Sequence, residues 1–568
     1  MVTLTGRLAI LYLLLASVVP AHADGLPPPT TPFNWTGIYI GTHAGGGSGI
    51  GNISDPLGTT LFGNPIRSPG PIAGGQIGYT YQTGSVVWGA EADVSWADME
   101  GTGTCSALSG TFVNSNCQVT TDAFGTLTGR VGLALGPDDR ALVYGKAGLA
   151  WSTGDAYVVT NDNFAGAAGN PVVNAKTDLT LWGFTAGAGA EYALTSRWSV
   201  KAEYDFMSFG SHSVPLLPSA FLAGGAVTGT VAGRKGHIDQ DLHVFKLGIN
   251  YSLADRGELA ELPSVAGGMR GFGLEIGGRY WYNWGRHQYD LGHLKSAPSP
   301  AHTLVSRLTY DNLQTNAAEI VARLDAPYQL FAKGFIGTGT TSGGKMSDED
   351  FNIDNNFPYT RTRSQADGEV PAYATLDIGY DWLRTSRYRA GGYVGYNYFR
   401  EAMDAHGCVQ TANPLGPCSG SVGEPAVAAT GHPIITQSAV WQSFRLGAAG
   451  EFYLAPRLKL SGDAAYLPYV HVSAQDDHFL GNTPTVASIN PLRGHGIGTQ
   501  LEALLSYDVT DRWSVGAGAR YWAMWTTDGT FTRTYNSDGT SPPATPPQHL
   551  RIQTERAGFL GQVIYKFD

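Results

Sequence analysis

Two short acidic runs in this sequence carry side chains that could do hydrolytic chemistry. The more telling one is Gln475-Asp476-Asp477-His478-Phe479, which closes a strand pattern that begins at Leu458. Because side chains alternate along a strand, Asp476 and His478 are expected on the same face. A carboxylate beside an imidazole can orient the ring and stabilise its charged form, as a general base requires.

The other run, Ser347-Asp348-Glu349-Asp350-Phe351, repeats this spacing with Asp348 and Asp350. Each run stands at the end of a strand pattern, so the two polar pairs could face each other across the mouth of a barrel. The alternative is that both runs are solvated loop acids, since Asp and Glu are mostly exposed in folded proteins.

The composition favours a β-rich chain and argues against nucleic acid as a partner. Glycine accounts for 76 of 568 residues, aromatic residues for 11% and charged residues for 15%. Many turns and aromatic residues with few charges suit an all-β protein. The formal net charge of -11 is unfavourable for contact with phosphate backbones.

Residues 1–23 have the pattern of a secretory signal peptide. Arg7 supplies the positive charge, and residues 8–19 are mostly apolar. Ala21-His22-Ala23 fits a cleavage site, so the mature chain is expected to begin at Asp24. The apolar run is shorter than the ~20 residues of a membrane helix, but an exported chain can also span a membrane as a closed β-barrel.

Four cysteines lie in two close pairs, Cys105 with Cys117 and Cys408 with Cys418. An even number in an exported chain indicates structural disulfides, and the short separations favour pairing within each pair. Zinc is the alternative, but neither pair has C-x-x-C spacing. His406 lies near Cys408 without a second histidine to complete a ligand set. We therefore predict disulfides and no metal site.

The first half of the chain contains eight strand patterns, most of them near the ~9–11 residues of a tilted membrane strand. They lie at 34–41, 74–82, 86–96, 124–135, 141–151, 182–192, 198–206 and 243–253. The connections at 83–85, 136–140 and 194–197 are short, and the others are long. Short periplasmic turns alternating with long outer loops are typical of an outer-membrane barrel. An eight-stranded barrel over residues 33–253 is predicted.

Four motifs of this half resemble the small, porin-like surface-antigen barrels of Gram-negative bacteria. They are WTGIY at 35–39, GAEAD at 89–93, GRVG at 129–132 and WSVKAEY at 198–204. The resemblance implies a structural or surface role without enzyme activity. Small barrels fill their interiors with side chains. A charge network in the lumen is therefore expected from Glu91, Asp93, Arg130, Lys201 and Glu203.

Residues 254–270 are predicted to be a periplasmic linker, followed by a second barrel over residues 271–568. Its ten strand patterns lie at 272–284, 304–324, 330–345, 372–382, 388–400, 437–453, 458–472, 496–507, 513–525 and 554–567. The predicted fold class is all-β, with two transmembrane antiparallel β-barrels, eight-stranded then ten-stranded, in the cell outer membrane. A single 18-stranded pore is the alternative, which the linker disfavours.

Residues 271–568 resemble the omptin family of outer-membrane endopeptidases, most densely at 306–351 and 466–479. That family has ten strands, with an Asp-x-Asp pair after the third strand and an Asp-x-His pair after the seventh. Asp348 and Asp350 match the first pair, and Asp476 and His478 match the second. The resemblance implies that His478 is the general base, oriented by Asp476. It also implies that a water between His478 and the aspartate pair attacks the peptide carbonyl.

The two aspartates of such a site, Asp348 and Asp350, are expected to titrate as a coupled pair with one proton held to raised pH. The sequence departs from the omptin pattern where an acid helps to select basic side chains. Ala474 stands at that position, two residues before Asp476. The matching acidic position of the first strand falls near Gly285 or Arg286.

The resemblance further implies a lipopolysaccharide site on the outer wall of the second barrel. Tyr396 and Arg400 match part of that site, whereas Tyr398 stands where the family has an acid. The alternative for Tyr396 is an aromatic residue of the interfacial girdle. No cofactor is predicted beyond a lipopolysaccharide requirement of the omptin kind.

Two functions remain open at this point. The first is an outer-membrane protein whose second barrel is an endopeptidase, with outer-membrane lipid and peptide or protein substrates as partners. The second is a non-catalytic structural or surface protein that kept the barrel and lost catalysis. Ala474 and the non-catalytic first barrel favour the second function, and the four matching residues favour the first.

Overall fold

The described part of the chain is almost entirely β-strand and forms two closed antiparallel barrels, which confirms the predicted fold class. The structure is a computed structural model that describes residues 32–54, 65–107, 114–136, 138–160, 174–215, 219–223, 226–231, 235–256, 272–292, 304–351, 359–368, 371–385, 388–413, 418, 425–427, 431–479, 483–532, 534–535 and 548–567. The predicted signal peptide and most of the predicted linker lie outside these residues. Within them, no helix is long and apolar enough to cross a bilayer.

The first barrel has eight strands, and a small separate hairpin, β8 with β9, lies in the last long connection. The elements are β1 (Gly37–Ser54), β2 (Ile66–Thr83), β3 (Val86–Ala107), β4 (Asn114–Leu135), β5 (Ala141–Thr160), β6 (Asn174–Ala193), β7 (Trp198–Pro215), β8 (Ser219–Ala223), β9 (Ala226–Val231) and β10 (Lys235–Ser252). Strand β1 pairs with β10 from Tyr39↔Ser252 to Ser54↔His237, which closes the barrel.

The second barrel is built from longer strands, and among its described residues Pro327–Gln329 form a 3-10 turn. The strands are β11 (Gly273–Gly292), β12 (Leu304–Asp325), β13 (Leu330–Asp350), β14 (Thr360–Asp367), β15 (Ala372–Arg384), β16 (Tyr388–Ala412), β17 (Pro425–Val427), β18 (Ile435–Ala455), β19 (Leu458–Phe479), β20 (Val486–Asp508), β21 (Trp513–Phe531), β22 (Thr534–Tyr535) and β23 (Gln548–Phe567).

The fourth strand of the second barrel is broken in two. Strands β14 and β15 pair with successive parts of β13 on one side and of β16 on the other. Between them, Thr341 makes an isolated bridge with Gly368. When β14 and β15 are counted as one strand and the short β17 and β22 are left out, the second barrel has the ten strands that the sequence predicts. The barrel closes where β11 pairs with β23, from Leu274↔Phe567 onward.

The strands extend further than the sequence predicts. Most have 18 to 25 residues, whereas crossing the hydrocarbon needs only ~9–11. The segments between the predicted strands at 346–371 and 473–495 are therefore partly strand, and the site residues Asp348, Asp350, Asp476 and His478 lie within strands. Backbone pairing continues to Ser306↔Asp350 on β13 and to Ile435↔His478 on β19. The apolar alternation that identifies a membrane strand ends earlier, at the bilayer surface.

Outward apolar side chains and inward polar ones explain why these segments form barrels. Trp182 and Phe184 on β6 are exposed, while Glu191 of the same strand is buried. Two periplasmic turns also share one design. The Thr195 hydroxyl accepts the backbone N–H of Trp198 at 3.0 Å, and Thr510 accepts that of Trp513 at 3.0 Å. Both tryptophans are exposed, which suits the aromatic girdle at the inner bilayer surface.

Charged side chains fill the lumen of the first barrel. Lys146 Nζ lies 3.0 Å from Glu203 Oε1 and 3.2 Å from Glu91 Oε1. Lys201 Nζ lies 3.1 Å from the same Glu91 oxygen. The buried network comprises Glu91, Asp93, Arg130, Lys146, Glu191, Lys201, Glu203, Asp205 and Lys246. It contains the five residues predicted from the sequence, and it gives this barrel a packed interior.

The two barrels lie side by side with like ends together. At the short-turn end, the ring of Tyr192 lies 5.6 Å from that of Phe452 between centroids. At the long-loop end, Arg307 of the second barrel donates to Thr104 Oγ1 of the first at 2.7 Å. The same guanidinium donates to Asp290 Oδ1 at 2.8 Å. Both barrels therefore point their long loops outward, on the same side of the membrane.

Candidate active site

The structure brings the four residues predicted for the site together at the mouth of the second barrel. Strands β13 and β19 lie four strands apart one way around the barrel and six the other way, so they are almost opposite. Asp348 and Asp350 lie two and four residues after Met346, on the same inward face of β13. Asp476 and His478 lie two and four residues after Ala474, on the inward face of β19. Both pairs therefore face the lumen.

The site stands above the bilayer. On β19 the last large exposed aromatic residue is Tyr469. The next exposed positions, Ser473 and Gln475, are polar. Asp476 lies seven residues beyond Tyr469. At a strand tilt of about 45°, seven residues rise by about 16 Å. The four site residues are thus outside the membrane-spanning segments, at the outer surface.

Asp476 and His478 form an ion pair within one strand. His478 Nε2 lies 2.8 Å from Asp476 Oδ2. Asn490 on the neighbouring strand β20 donates to the same oxygen at 3.2 Å. Asp476 is buried, whereas 31% of the His478 side chain is exposed at the mouth. The carboxylate thus holds the ring through Nε2, which leaves Nδ1 as the nitrogen that can exchange a proton.

The charges around His478 favour its protonated form. Burial lowers the pKa of His478, but the charge and hydrogen bond of Asp476, with further attraction from Asp348 and Asp350, raise it to about 9. Burial and the adjacent Asp350 carboxylate raise the pKa of Asp348 well above its usual range, and His478 opposes this only in part. The raised pKa of Asp348 is the direction expected for two carboxylates that share one site.

Three further residues of the site were not found from the sequence. Asn490 on β20 holds Asp476, as described above. Tyr289 on β11 and Tyr310 on β12 are buried on the lumen side beneath the pairs. Burial and the charge of Asp476 raise the pKa of both tyrosines. No spacing within the sequence connects these residues to the acidic runs, because they come from three other strands.

The two positions where omptins carry selective acids have a different environment here. Ala474 is buried between Ala439 and Leu492, its partners on the neighbouring strands. On β11, Gly285 faces the lumen, and a Cβ there would lie 2.9 Å from Arg556 Nη1. Arg286 faces the first barrel instead. The lumen beside the site is therefore apolar at one of these positions and occupied by a guanidinium at the other.

That guanidinium belongs to a closed polar cluster. Arg556 Nη2 donates to Glu401 Oε2 at 2.9 Å, and His287 Nδ1 lies 2.9 Å from Glu401 Oε1. Trp441 Nε1 donates to Glu401 Oε1 at 3.1 Å. Because Glu401 already has these partners, it does not supply the free negative charge that attracts a basic substrate side chain.

The remaining predicted residues lie away from the mouth. Tyr396 and Arg400 are exposed on the outer face of β16, where both a lipid site and an aromatic girdle would place them. Cys408 is bonded to Cys418. Cys117 also forms a disulfide, and the prediction for Cys105 concerns a side chain outside the described part.

Among the described residues, Asp367, Asp404 and His406 have ligand atoms within 4.8 Å of one another, close enough to hold a metal ion. In this structure His406 Nε2 lies 3.2 Å from Asp367 Oδ1, an ion pair at the partly exposed outer end of β14 and β16. This cluster is separate from the four residues at the mouth.

Comparison with known proteins places the sequence similarity in the first barrel. Residues 9–252 match the family described as outer membrane protein beta-barrel domain. The 31 kDa outer-membrane immunogenic protein of Brucella melitensis is 27% identical over 231 residues, which cover 39% of this chain and 85% of that protein. The 22 kDa outer membrane protein of Rhizobium leguminosarum bv. viciae is 29% identical over 194 residues, covering 34% and 72%.

Among solved structures, the outer membrane protease OmpT from Escherichia coli aligns with 53% of this chain and 99% of its own, at 17% identity and a TM-score of 0.43. Fold and relatives together define an outer-membrane β-barrel protein, and the chain is located in the outer membrane. Its first barrel is similar to the outer-membrane proteins of Brucella and Rhizobium.

Proposed function

We propose that the second barrel is an outer-membrane endopeptidase of the omptin kind, with its site at the outer mouth. The observation that carries this proposal is the 2.8 Å pair of His478 with Asp476, which faces the Asp348–Asp350 pair on the opposite side of one lumen. A histidine with its orienting carboxylate can activate a water, and a second carboxylate pair across the lumen can hold that water beside a peptide carbonyl.

In this proposal His478 removes a proton from a water through Nδ1 while Asp476 fixes the ring through Nε2. The Asp348–Asp350 pair, which holds one proton because its carboxylates repel each other, donates one hydrogen bond to the same water through its protonated oxygen. The water attacks the peptide carbonyl, and the proton on His478 passes to the leaving amine. The neutral form of His478 is the base, so activity rises with pH as this group loses its proton.

The substrate class follows from the lumen beside the pair. Ala474 lies against Leu492 and Ala439 where an acid would attract a basic side chain. Arg556 occupies the space next to Gly285. We therefore propose cleavage next to an apolar side chain of the peptide, since an apolar subsite gains by burying apolar surface and a cation there would lack a partner.

A lipopolysaccharide requirement belongs to the same proposal. Tyr396 and Arg400 are exposed on one face of β16, on the outer wall below the mouth. An arginine at this level can pair with a lipid phosphate, and an aromatic residue suits the bilayer surface. Peptide cleavage is therefore expected to depend on added lipopolysaccharide.

The test is cleavage of a peptide library by the refolded full chain with lipopolysaccharide. His478→Ala should abolish cleavage. The matched control is His471→Ala, because His471 lies on the same strand, outside the site, with its ring 6.3 Å from that of His495. Loss of activity in His478→Ala with activity kept in His471→Ala would support the proposal. Equal activity in all three proteins would refute it.

The alternative function is a non-catalytic structural or surface protein. The observation that favours it is the charge network of buried side chains that fills the lumen of the first barrel. Absence of cleavage by the wild type, with both barrels shown to be folded by heat-modifiable migration on gels, would establish this alternative.

A further inference from the structure

A cavity of about 910 Å³ lies between the two barrels, on their outer walls. Its size is within the ~300–1,000 Å³ typical of small-molecule sites. One part is apolar and is formed by Phe245 of the first barrel with Phe559 and Ala557 of the second. The other part is polar and carries two arginines, Arg67 and Arg286, one from each barrel. The cavity is thus amphipathic.

The polar part lies at the outer bilayer surface. Trp284 on β11 is exposed and packs edge-on against Phe559 at 5.9 Å between centroids, as girdle residues do. Arg286 follows two residues further outward on the same face of β11. The apolar part therefore lies at the depth of acyl chains, and the arginines lie at the depth of headgroups.

The two guanidinium groups are only partly satisfied by the protein, because Arg286 Nη2 donates to Gln288 Oε1 at 2.7 Å while other donors of both groups stay unpaired. Arg286 is 5% exposed, and its Nε and Nη1 atoms make no hydrogen bond. Its nearest acid, Asp311, lies 3.8 Å from Nη1. Arg67 Nε is also buried without a partner, and the two positive charges repel each other. Buried guanidinium groups with free N–H donors require an acceptor.

The acids at this end of the cavity, Asp311 and Glu555, attract Arg286 through their charges but accept no hydrogen bond from its free Nε and Nη1 atoms. Glu555 Oε1 accepts from Ser48 at 2.8 Å and from Tyr521 at 3.0 Å. His243 Nδ1 lies 2.7 Å from the hydroxyl of Tyr204. Asp311 remains partly exposed to solvent. An anionic group placed between the arginines would be attracted by both and held by their free donors.

We propose that this cavity binds one acyl lipid of the outer leaflet, with its phosphate between Arg67 and Arg286 and an acyl chain against Phe245 and Phe559. The lipid would join the two barrels in the membrane, since each barrel contributes one arginine and one aromatic wall. This site lies on the opposite side of β11 from the lumen, and the inference does not depend on peptidase activity.

The test is native mass spectrometry of the delipidated full chain in detergent with dipalmitoyl phosphatidic acid. The wild type should retain one lipid, and Arg67→Gln with Arg286→Gln should weaken retention about tenfold or more, as expected for loss of two charged contacts to a phosphate. The matched control is Arg363→Gln, because Arg363 is an exposed arginine on the outer part of β14. Unchanged retention in the double variant would overturn the proposal.

Two further arms separate the sources of binding. Dipalmitoylglycerol, which has the same chains without the phosphate, should give no single-lipid adduct, and an equal adduct would overturn the phosphate assignment. Inorganic phosphate alone should not be retained, and its retention would overturn the lipid assignment. Ala557→Trp keeps both arginines and fills the acyl part of the cavity. It should also lose the adduct while migrating as a folded barrel on gels, and an unchanged adduct would count against the acyl position.

Discussion

Replacing Asp476 by Asn tests the electrostatic core of the candidate site without using activity. In the wild type, burial lowers the pKa of His478, but Asp476 offsets this and the pKa is about 9. In Asp476→Asn, only the more distant Asp348 and Asp350 oppose the effect of burial. We therefore expect the pKa of His478 to fall to its ordinary value of about 6.5 or below.

The size of the effect follows from the two pKa values. A pKa raised from 6.5 to about 9 corresponds to about 3 kcal/mol in favour of the charged form. Because 31% of the side chain is exposed, screening by solvent reduces this to about 2 kcal/mol. A raised pKa stabilises the folded protein fully below about pH 6.5, and this stabilisation is lost as the pH rises through about 9. Asp476→Asn should thus lose about 2 kcal/mol of unfolding free energy at about pH 6 and none above about pH 9.5.

The assay is urea unfolding of the refolded protein at both pH values, with ¹⁵N-histidine NMR to follow His478 directly. The control is Asp477→Asn, because Asp477 lies in the same run but pairs outward with Gln475 Nε2 at 3.0 Å. Asp477→Asn should lose much less unfolding free energy than Asp476→Asn. Wild-type His478 titrating near 6.5, or a loss in Asp476→Asn that is the same at both pH values, would refute the reasoning.

Three other changes have definite expected outcomes. Ala474→Asp should move peptide cleavage towards basic residues, because it returns a carboxylate to the lumen beside the pair; an unchanged cleavage pattern would contradict the apolar subsite. Arg307→Ala should cost about 3–5 kcal/mol in chemical unfolding, since it leaves buried Asp290 without its cation; Arg307→Lys should lose less, and equal losses would argue against the ion pair. Cys408→Ser should cost about 2–3 kcal/mol under non-reducing conditions, because the disulfide closes a separation of ten residues; equal stability of the wild type and the variant under these conditions would contradict this.

The two barrels and their strand numbers could be predicted because membrane strands alternate outward apolar and inward polar residues between recognisable turns. The parts of the strands that extend beyond the outer bilayer surface could not be predicted. Above Tyr469 on β19 the outward residues are polar, so the alternation that marks a strand is lost although the backbone pairing continues to Phe479. For the same reason the sequence predicts that the third strand ends before Asp348 and Asp350, whereas β13 includes both residues.

The spacing of the acidic runs was enough to predict which side chains share a face, but not what surrounds them. In the sequence, the position that matches the selective acid of the first strand falls near Gly285 or Arg286, two neighbours that point to opposite sides of the barrel wall. The pairing of β11 with β12 is irregular between Gly285 and His287. Only the three-dimensional register therefore shows that Gly285 faces the lumen and Arg286 faces the first barrel.

The first barrel also changes the meaning of the acidic run on β13. Glu349 lies between Asp348 and Asp350 and alternates to the outer face, where a solvated carboxylate would be expected, yet it is fully buried. Its Oε1 accepts from the hydroxyl of Tyr359 at 2.7 Å, and its strand partner is Arg307, which bonds to the first barrel. The outer wall behind the aspartate pair is thus an interior surface of the two-barrel protein. Removing the first barrel would expose it and leave Arg307 without Thr104, so the intact chain is the form in which the site must be assayed.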